Sequence, residues 1–133
     1  MTNRDKSLKI VLQVLGWWTL LALGAVVMPR SWMAAIHEWL GLGEFPTAPI
    51  AESLARSLSA FYAMFGALCV VLASDIERYR GLIKFLGVLL VLFGLSLFGI
   101  EWSAGMPAWW TVSEGLATLV FGVLVLGFSR ERE

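Results

Sequence analysis

The sequence predicts an all-α integral membrane protein: an antiparallel four-helix bundle with a short interfacial amphipathic helix in its first outer loop. Of the 133 residues, 59% are apolar and 15% are charged, and the mean hydropathy is +0.78. Globular soluble domains carry about 25% charged residues. Lipid must therefore cover much of this chain, which excludes a disordered, collagen-like or water-soluble protein.

Four apolar stretches are long enough to cross a membrane, because a bilayer core of about 30 Å needs about 20 apolar residues in a helix. The stretches are Leu8–Met28, Ile50–Ala73, Leu82–Ile100 and Pro107–Phe128. The first follows basic residues, as in a secretory signal, but its apolar run exceeds the roughly 7 to 15 residues of a signal peptide. We interpret it as a retained anchor and predict a single transmembrane domain over residues 1–133.

The basic residues predict the orientation of these spans, because lysine and arginine near short loops stay on the cytoplasmic side. Eight of the ten lie at the two chain ends or around the loop after the second span. They are Arg4, Lys6, Lys9, Arg78, Arg80, Lys84, Arg130 and Arg132. Both termini are therefore predicted to be cytoplasmic, with residues 29–49 and 101–106 outside.

The first outer loop is predicted to contain a helix over residues 31–41. Ser31 can accept a hydrogen bond at a helix start, and large apolar residues follow at helical spacing until Gly41 and Gly43. This pattern is typical of an amphipathic helix lying on a membrane surface. The charged residues 74–81 predict a compact loop that joins the second and third spans as an antiparallel hairpin.

Tryptophan favours the interface between lipid and water. Five of the seven tryptophans map to the predicted outer boundary: Trp32, Trp39, Trp102, Trp109 and Trp110. Trp17 and Trp18 instead fall midway along the first span, where an indole N–H needs a partner. They either pack against an acceptor on a neighbouring helix or form a face for lipid, quinone or another subunit.

Small residues mark predicted helix contacts, because they allow helix backbones to approach closely in lipid. Gly87 and Gly94 lie seven residues apart on the third span, and Gly115 and Gly122 repeat this spacing on the fourth. The second span carries a stripe of small residues, which are Ser53, Ser57, Ala60, Ala63 and Ala67. We predict that these faces hold the bundle together, and we name the four glycines with Trp17 and Trp18 as interface candidates.

Ionisable residues within the spans are the candidate binding or ion-pair residues, since a charge at the bilayer centre costs about 2.5 to 3.5 kcal/mol or more. Glu52 and Arg56 share a face of the second span, four residues apart. At 1.5 Å rise per residue, Arg56 and Glu114 both lie about 9 to 10 Å deep and can meet. Glu101 and Tyr62 complete the candidate set.

Two interpretations of this set remain open. The charged groups neutralise one another and fix the helix register, or they form the floor of a polar pocket that opens outward. Two acids around one guanidinium leave a spare negative charge, which a cationic or hydroxyl-bearing ligand can offset.

Catalytic and metal chemistry find little support in the sequence. Cys69 is the only cysteine and His37 the only histidine, so zinc-type ligand sets are lacking. The serines have no base partner and the glycines fit helix contacts rather than a phosphate-binding loop. With a formal net charge of zero, a nucleic-acid partner is not expected. We predict no enzymatic activity and no metal.

The segment LARSLSAFYAMFGALCVVLASDIERYRGLIK, Leu54 to Lys84, resembles the second span and following basic loop of DoxX-like small bacterial membrane proteins. The matching features are Arg56 early in the span, Gly66 along it and the Asp75–Arg80 run. The segment FGLSLFGIEWSAGMPAWW, Phe93 to Trp110, is similar to uncharacterised relatives of that group. The resemblance implies a four-helix protein of the bacterial inner membrane, sometimes an accessory part of quinone-linked oxidoreductases.

Two functions are expected from these features. The first is a non-catalytic accessory or scaffold subunit of a larger membrane complex, for which the resemblance implies a link to redox or quinone chemistry. Its expected partners are lipids and other membrane subunits. The second is a small binding protein or carrier that holds a lipid or quinone head group in an outward-facing pocket. In neither case does the chain need a cofactor of its own, although a lipid or quinone can be bound.

Overall fold

The computed structural model describes residues 1–130, and its secondary structure over that range is helical. The helices are α1 (Asn3–Leu20), α2 (Leu23–Val27), α3 (Arg30–Trp39), α4 (Pro49–Ser74), α5 (Ile76–Ser103) and α6 (Ala108–Ser129). Four of the resulting segments are long and apolar enough to cross a membrane, with α1 and α2 together forming the first. The prediction of an all-α fold of membrane type is confirmed.

The prediction of a loop over residues 74–81 is wrong in its length, because Asp75 alone separates α4 from α5. The Asp75 side chain accepts a hydrogen bond from the Arg78 backbone N–H and so caps the first turn of α5. An acidic N-cap and Glu77 in the first turn also suit the positive end of the helix dipole. The basic segment is therefore the start of α5, six residues before the predicted start of the span at Leu82.

The first span contains a break that the sequence does not predict. Residues 21 and 22 form a turn between α1 and α2. The N–H groups of Leu21 and Ala22 donate to the carbonyls three residues earlier, those of Trp18 and Thr19. Beyond α2, Met28 takes an extended conformation (φ −68°, ψ 148°). This is the geometry that the following Pro29 imposes on its neighbour, and it ends the span where the sequence predicts.

Helix α3 lies within one or two residues of the predicted interfacial helix. Its first residue is Arg30 and its N-cap is Pro29, which offers no side-chain cap, so the prediction that Ser31 caps the helix is wrong. At the other end, the N–H groups of Gly41 and Leu42 donate to the carbonyls of Glu38 and His37. With a φ of 73° at Gly41, this is a Schellman motif that needs the glycine.

The described chain forms two compact units. The first consists of residues 1–15 with residues 69–130, and the second of residues 16–68. The fully buried side chains of the first unit come from α1, α4, α5 and α6 and are Leu8, Leu12, Cys69, Leu72, Ile83, Val125 and Ser129. The second unit contains α2, α3, the end of α1 and most of α4. The single domain over residues 1–133 stays a prediction.

In the first unit, α5 and α6 pack closely through four glycines. A Cβ atom added at Gly94 would lie 2.9 Å from the Leu119 backbone nitrogen, and one added at Gly122 would lie 2.8 Å from the Val91 backbone nitrogen. Gly87 and Gly115 face the side chains of other residues across the same contact, including Leu126 and Phe98. The heptad spacing of these glycines thus serves contacts within the chain.

In the second unit, α1 and α4 meet at Gly66. A Cβ atom added there would clash with the Gly16 carbonyl oxygen and lie 2.8 Å from the Leu20 backbone nitrogen. The prediction that the small-residue stripe forms the contact face of the second span is mostly wrong. Of its five residues, only Ala63 is buried and the other four are exposed. Backbone contact needs a glycine here, whereas the other four residues of the stripe, Ser53, Ser57, Ala60 and Ala67, are exposed.

We predict that Gly94→Ala and Gly122→Ala each lower the free energy of unfolding by about 1 to 3 kcal/mol, the usual cost of overpacking. The added methyl groups would meet backbone atoms of the facing helix, which cannot move aside as a flexible side chain can. The measurement is reversible unfolding of the detergent-solubilised protein, followed by circular dichroism.

Matched controls are Gly99→Ala on α5 and Gly127→Ala on α6, where a Cβ atom would meet nothing within 4 Å. These variants should be neutral or more stable by up to about 1 kcal/mol, because alanine favours the helix over glycine. Equal effects at all four positions would contradict glycine-dependent packing of α5 on α6.

Candidate functional site

The turn between α5 and α6 fixes the first candidate site. The N–H groups of Gly105 and Met106 donate to the carbonyls of Trp102 and Glu101, and Gly105 has a φ of 73°. This second Schellman motif ends α5. Pro107 then serves as the N-cap of α6, where its fixed φ suits the start of a helix. The tight turn brings the end of α5 beside the first two turns of α6.

Glu101 is buried at this point, with its side chain only 7% exposed. The side chains of Glu114, Trp110 and Thr111 lie within interacting distance of its carboxyl group. The Glu101 Oε2 atom nevertheless accepts no hydrogen bond from the described residues. We call Glu101 and Glu114 the carboxyl pair.

The carboxyl pair is chemically suited to receive hydrogen bonds. A buried acceptor without a partner costs about 1 to 3 kcal/mol, and such atoms often mark a missing ligand, water or ion. A hydroxyl or amine reaching Glu101 Oε2 would remove that cost. The predicted placement of residues 101–106 at the outer boundary would make the pair reachable from outside the membrane.

The second candidate site is an arginine cluster in the other unit, formed by Arg30, Glu52 and Arg56. Arg56 donates through Nε (3.0 Å) and Nη2 (2.8 Å) to Glu52 Oε1. Its Nη1 donates to the Val26 carbonyl at 2.6 Å. Arg30 Nη1 lies 3.7 Å from Glu52 Oε2.

The Val26 contact gives Arg56 a structural task. Val26 is in the last turn of α2, where backbone carbonyls lack helical partners and carry the negative end of the helix dipole. A guanidinium is a planar donor that can serve a carboxylate and a carbonyl at once. Arg56 therefore joins α4 to the end of α2, which favours the structural interpretation for Glu52 and Arg56.

The long loop after α3 is held by the same region. Arg30 Nη2 donates to the Pro46 carbonyl at 2.8 Å, and its guanidinium lies 5.5 Å from the centre of the Phe45 ring. His37 Nδ1 lies 2.8 Å from the Gly43 carbonyl and packs edge-on against Phe45. These contacts order the loop between α3 and α4, a role of Arg30 and His37 that the sequence pattern does not predict.

The structure brings two pairs of candidate residues into contact, one pair within each unit. Glu52 and Arg56 are in contact in the second unit, and Glu101 and Glu114 in the first. The predicted meeting of Arg56 with Glu114 involves different units and stays a prediction. Tyr62 is half-buried on α4. No group of three or more potential metal-ligating side chains occurs within residues 1–130.

Among the interface candidates, the tryptophans and glycines differ. The side chains of Trp17 and Trp18 are exposed, at 60% and 70%, so packing inside the chain does not account for them. Gly87, Gly94, Gly115 and Gly122 are buried in the contact of α5 with α6. A partner chain would therefore meet the two tryptophans rather than the glycines.

Sequence reasoning missed one buried ion pair in the first unit. Arg80 Nη2 donates to Asp5 Oδ1 at 2.7 Å, and Asp5 is 4% exposed. The Thr2 N–H donates to Asp5 Oδ2, and the Asp5 N–H donates to Thr2 Oγ1. This reciprocal pattern resembles a capping box. The signal in the sequence is Thr2 three residues before an acid at a helix start.

We predict that Glu101→Gln raises the free energy of unfolding by about 1 to 2 kcal/mol. The amide is of similar size, supplies N–H donors that can reach Glu114, and avoids the cost of a buried charge at position 101. Denaturant unfolding of both proteins in the same detergent checks this. The control Glu38→Gln, on the exposed side of α3, should change stability by less than about 0.5 kcal/mol. A destabilised Glu101→Gln protein would contradict the assignment of Glu101 Oε2 as an acceptor without a partner.

We predict that Arg56→Met lowers the free energy of unfolding by about 1 to 2 kcal/mol, because it leaves Glu52 and the Val26 carbonyl without their donor. The lower end of the range for such contacts applies, since the ion pair is roughly 30% exposed. Arg56→Lys keeps the charge but cannot serve both acceptors. Its free energy of unfolding should lie between those of the parent protein and Arg56→Met. Unchanged stability of Arg56→Met would contradict the structural role.

Comparison with known proteins identified no relative of this chain. No family model, curated protein or solved structure matches the chain. The resemblance to DoxX-like proteins therefore stays a prediction. The roles assigned to the carboxyl pair, the arginine cluster and the exposed tryptophans rest on the contacts of the chain itself.

Proposed function

We propose that this chain is a non-catalytic integral membrane subunit, which docks as an accessory or scaffold component onto a larger membrane complex. The observation that carries the proposal is the exposure of Trp17 and Trp18 within the first apolar segment. Two large side chains with polar N–H groups project from the chain at a level where lipid offers no hydrogen bonds.

The helical spacing around these tryptophans supports a docking face. On α1, Val14 lies four residues after Ile10, and Trp17 and Trp18 lie three and four residues after Val14. Each of the four is at least half exposed. Helices associate in lipid through close packing and hydrogen bonds between chains, and tryptophan dominates many protein interfaces. A neighbouring membrane chain could cover this face and accept from the indole N–H groups.

The cellular setting is also part of the proposal. Contacts of Arg4 with Arg130 and of Asp5 with Arg80 bring basic residues of three helices to one end of the first unit. The positive-inside rule assigns that end to the cytoplasm. Together with the resemblance to DoxX-like proteins, this supports a multi-pass protein of a bacterial inner membrane with both termini inside, in a complex linked to redox or quinone chemistry.

A second candidate function is a small binding protein or carrier for a lipid or quinone head group. The specific observation that favours it is the unpartnered Oε2 atom of Glu101 beside Glu114. A hydroxyl of a quinol or of a lipid head group would supply the missing donor. This candidate does not depend on the exposed tryptophans.

The proposed docking is tested by photo-crosslinking in native membranes. A photoreactive amino acid placed at position 17 or 18 should give one discrete adduct with a second, different membrane protein, identified by mass spectrometry. The matched control is position 95 on α5, where Leu95 is 54% exposed. There we expect adducts with lipid.

Three outcomes would contradict the accessory role. Adducts with lipid alone at positions 17 and 18 would show that no chain covers the face. Adducts with a second copy of this chain would indicate a homo-oligomer. An isolated chain that keeps a quinone or lipid during gentle solubilisation, and loses it on Glu101→Gln, would favour the carrier instead.

A further inference from the structure

A cleft lined by arginines lies at the end of the first unit where α1 begins and α6 ends. Its volume is about 480 Å³, within the usual range for small-ligand sites. The lining residues are Thr2, Asn3, Arg4, Asp5, Arg80, Phe128 and Arg130. None of them belongs to the carboxyl pair, to the arginine cluster or to the exposed face of α1 with Ile10, Val14, Trp17 and Trp18, which we call the tryptophan face.

The cleft has an excess of positive charge. Among the lining residues within 1–130, three guanidinium groups face one carboxylate, that of Asp5, which gives these residues a formal charge of +2. Asp5 is committed to Arg80 at 2.7 Å and to Thr2. Arg4 and Arg130 supply the remaining charge, and both are exposed.

Within residues 1–130, the two exposed arginines keep most of their guanidinium donors available. A guanidinium carries five N–H donors, and Arg4 uses one in a long contact of 3.4 Å with the Arg130 carbonyl. That contact holds the start of α1 beside the end of α6. The Arg80–Asp5 pair holds the start of α5 at the same place, so the three guanidinium groups are gathered by contacts within one unit.

The remaining wall indicates which anion fits. Guanidinium groups bind phosphate through paired hydrogen bonds, and the positive end of the α1 dipole adds to the attraction. Phe128, in the last turn of α6, gives the cleft an apolar side next to the charged one. A free phosphate has no apolar part that could contact Phe128, whereas a phospholipid can place its glycerol and acyl groups against that side chain.

From this arrangement we infer that the cleft binds the head group of an anionic phospholipid. Arg4 and Arg130 contact the phosphate, Arg80 is held in place by Asp5, and Phe128 packs against the lipid beyond the head group. Basic pockets at the cytoplasmic ends of transmembrane helices bind anionic lipids on the same principle. The inference goes beyond the proposed function, because it concerns neither a partner chain nor the outer side.

The test is native mass spectrometry of the full chain in detergent, with defined lipids added singly. Phosphatidylglycerol should remain bound, and phosphatidylcholine, which has a phosphate but no net charge, should bind at least ten times more weakly. The double variant Arg4→Gln/Arg130→Gln should bind phosphatidylglycerol about 30-fold more weakly, because each basic residue near an anionic lipid contributes a factor of about five. Arg80 is left unchanged because it partners a buried aspartate.

The matched control is Lys6→Gln/Arg78→Gln, which removes two exposed positive charges from α1 and α5 without touching the cleft lining. It should keep the affinity within about threefold. Equal losses in both double variants would overturn the inference in favour of unspecific charge attraction. Inorganic phosphate at a 10-fold molar excess over phosphatidylglycerol should leave the lipid bound. If phosphate displaces the lipid completely, the site is for a free anion and the inference is wrong.

Thermal unfolding of each variant separates binding from folding. Arg4 and Arg130 are exposed, so their replacement should shift the unfolding midpoint by no more than the control does. A double variant that keeps the midpoint and still binds phosphatidylglycerol as the parent does would also overturn the inference. Because the assay uses the isolated chain, its result is independent of whether a partner subunit covers the tryptophan face.

Discussion

The close contact of α5 with α6 sets the geometry of the first unit. Gly94 and Gly122 bring backbone atoms of the two helices within a distance that any side chain would prevent. In lipid, where burial of apolar surface drives association only weakly, such close packing supplies much of the attraction. The same contact positions Glu101 against Glu114, so the burial of Glu101 depends on Gly94 and Gly122, which lie about two helical turns from the two acids.

The charged residues of the two units have different physical roles. Arg56 serves a carboxylate and a helix-end carbonyl at once, which makes it a structural joint between α2 and α4. Glu101 has an oxygen without a donor within residues 1–130. A structural pair satisfies its members, whereas an unsatisfied buried atom costs stability and calls for another explanation. The carboxyl pair is therefore the stronger candidate for binding, and the arginine cluster the weaker.

Outer surfaces divide in a similar way. The exposed tryptophans on α1 offer a large, nearly uncharged face suited to a protein partner, and the arginine-lined cleft offers charge suited to a lipid phosphate. The side chains that characterise them, Trp17 and Trp18 on one surface and Arg4 and Arg130 on the other, are all exposed. The tryptophan face and the cleft share no residue, so a ligand in the cleft would leave the two tryptophans accessible.

The sequence by itself determined the helical class, four apolar segments and the glycine spacing, because hydropathy and helical periodicity are local properties that lipid makes decisive. It also located α3 and the stop at Pro29, since proline and glycine act on their immediate neighbours. Only the tertiary structure decided that Glu114 lies beside Glu101, that Arg56 caps α2, and that Asp5 pairs with Arg80. These contacts join residues 13 to 75 positions apart, and their partners depend on how helices rotate and pack rather than on any pattern along one helix.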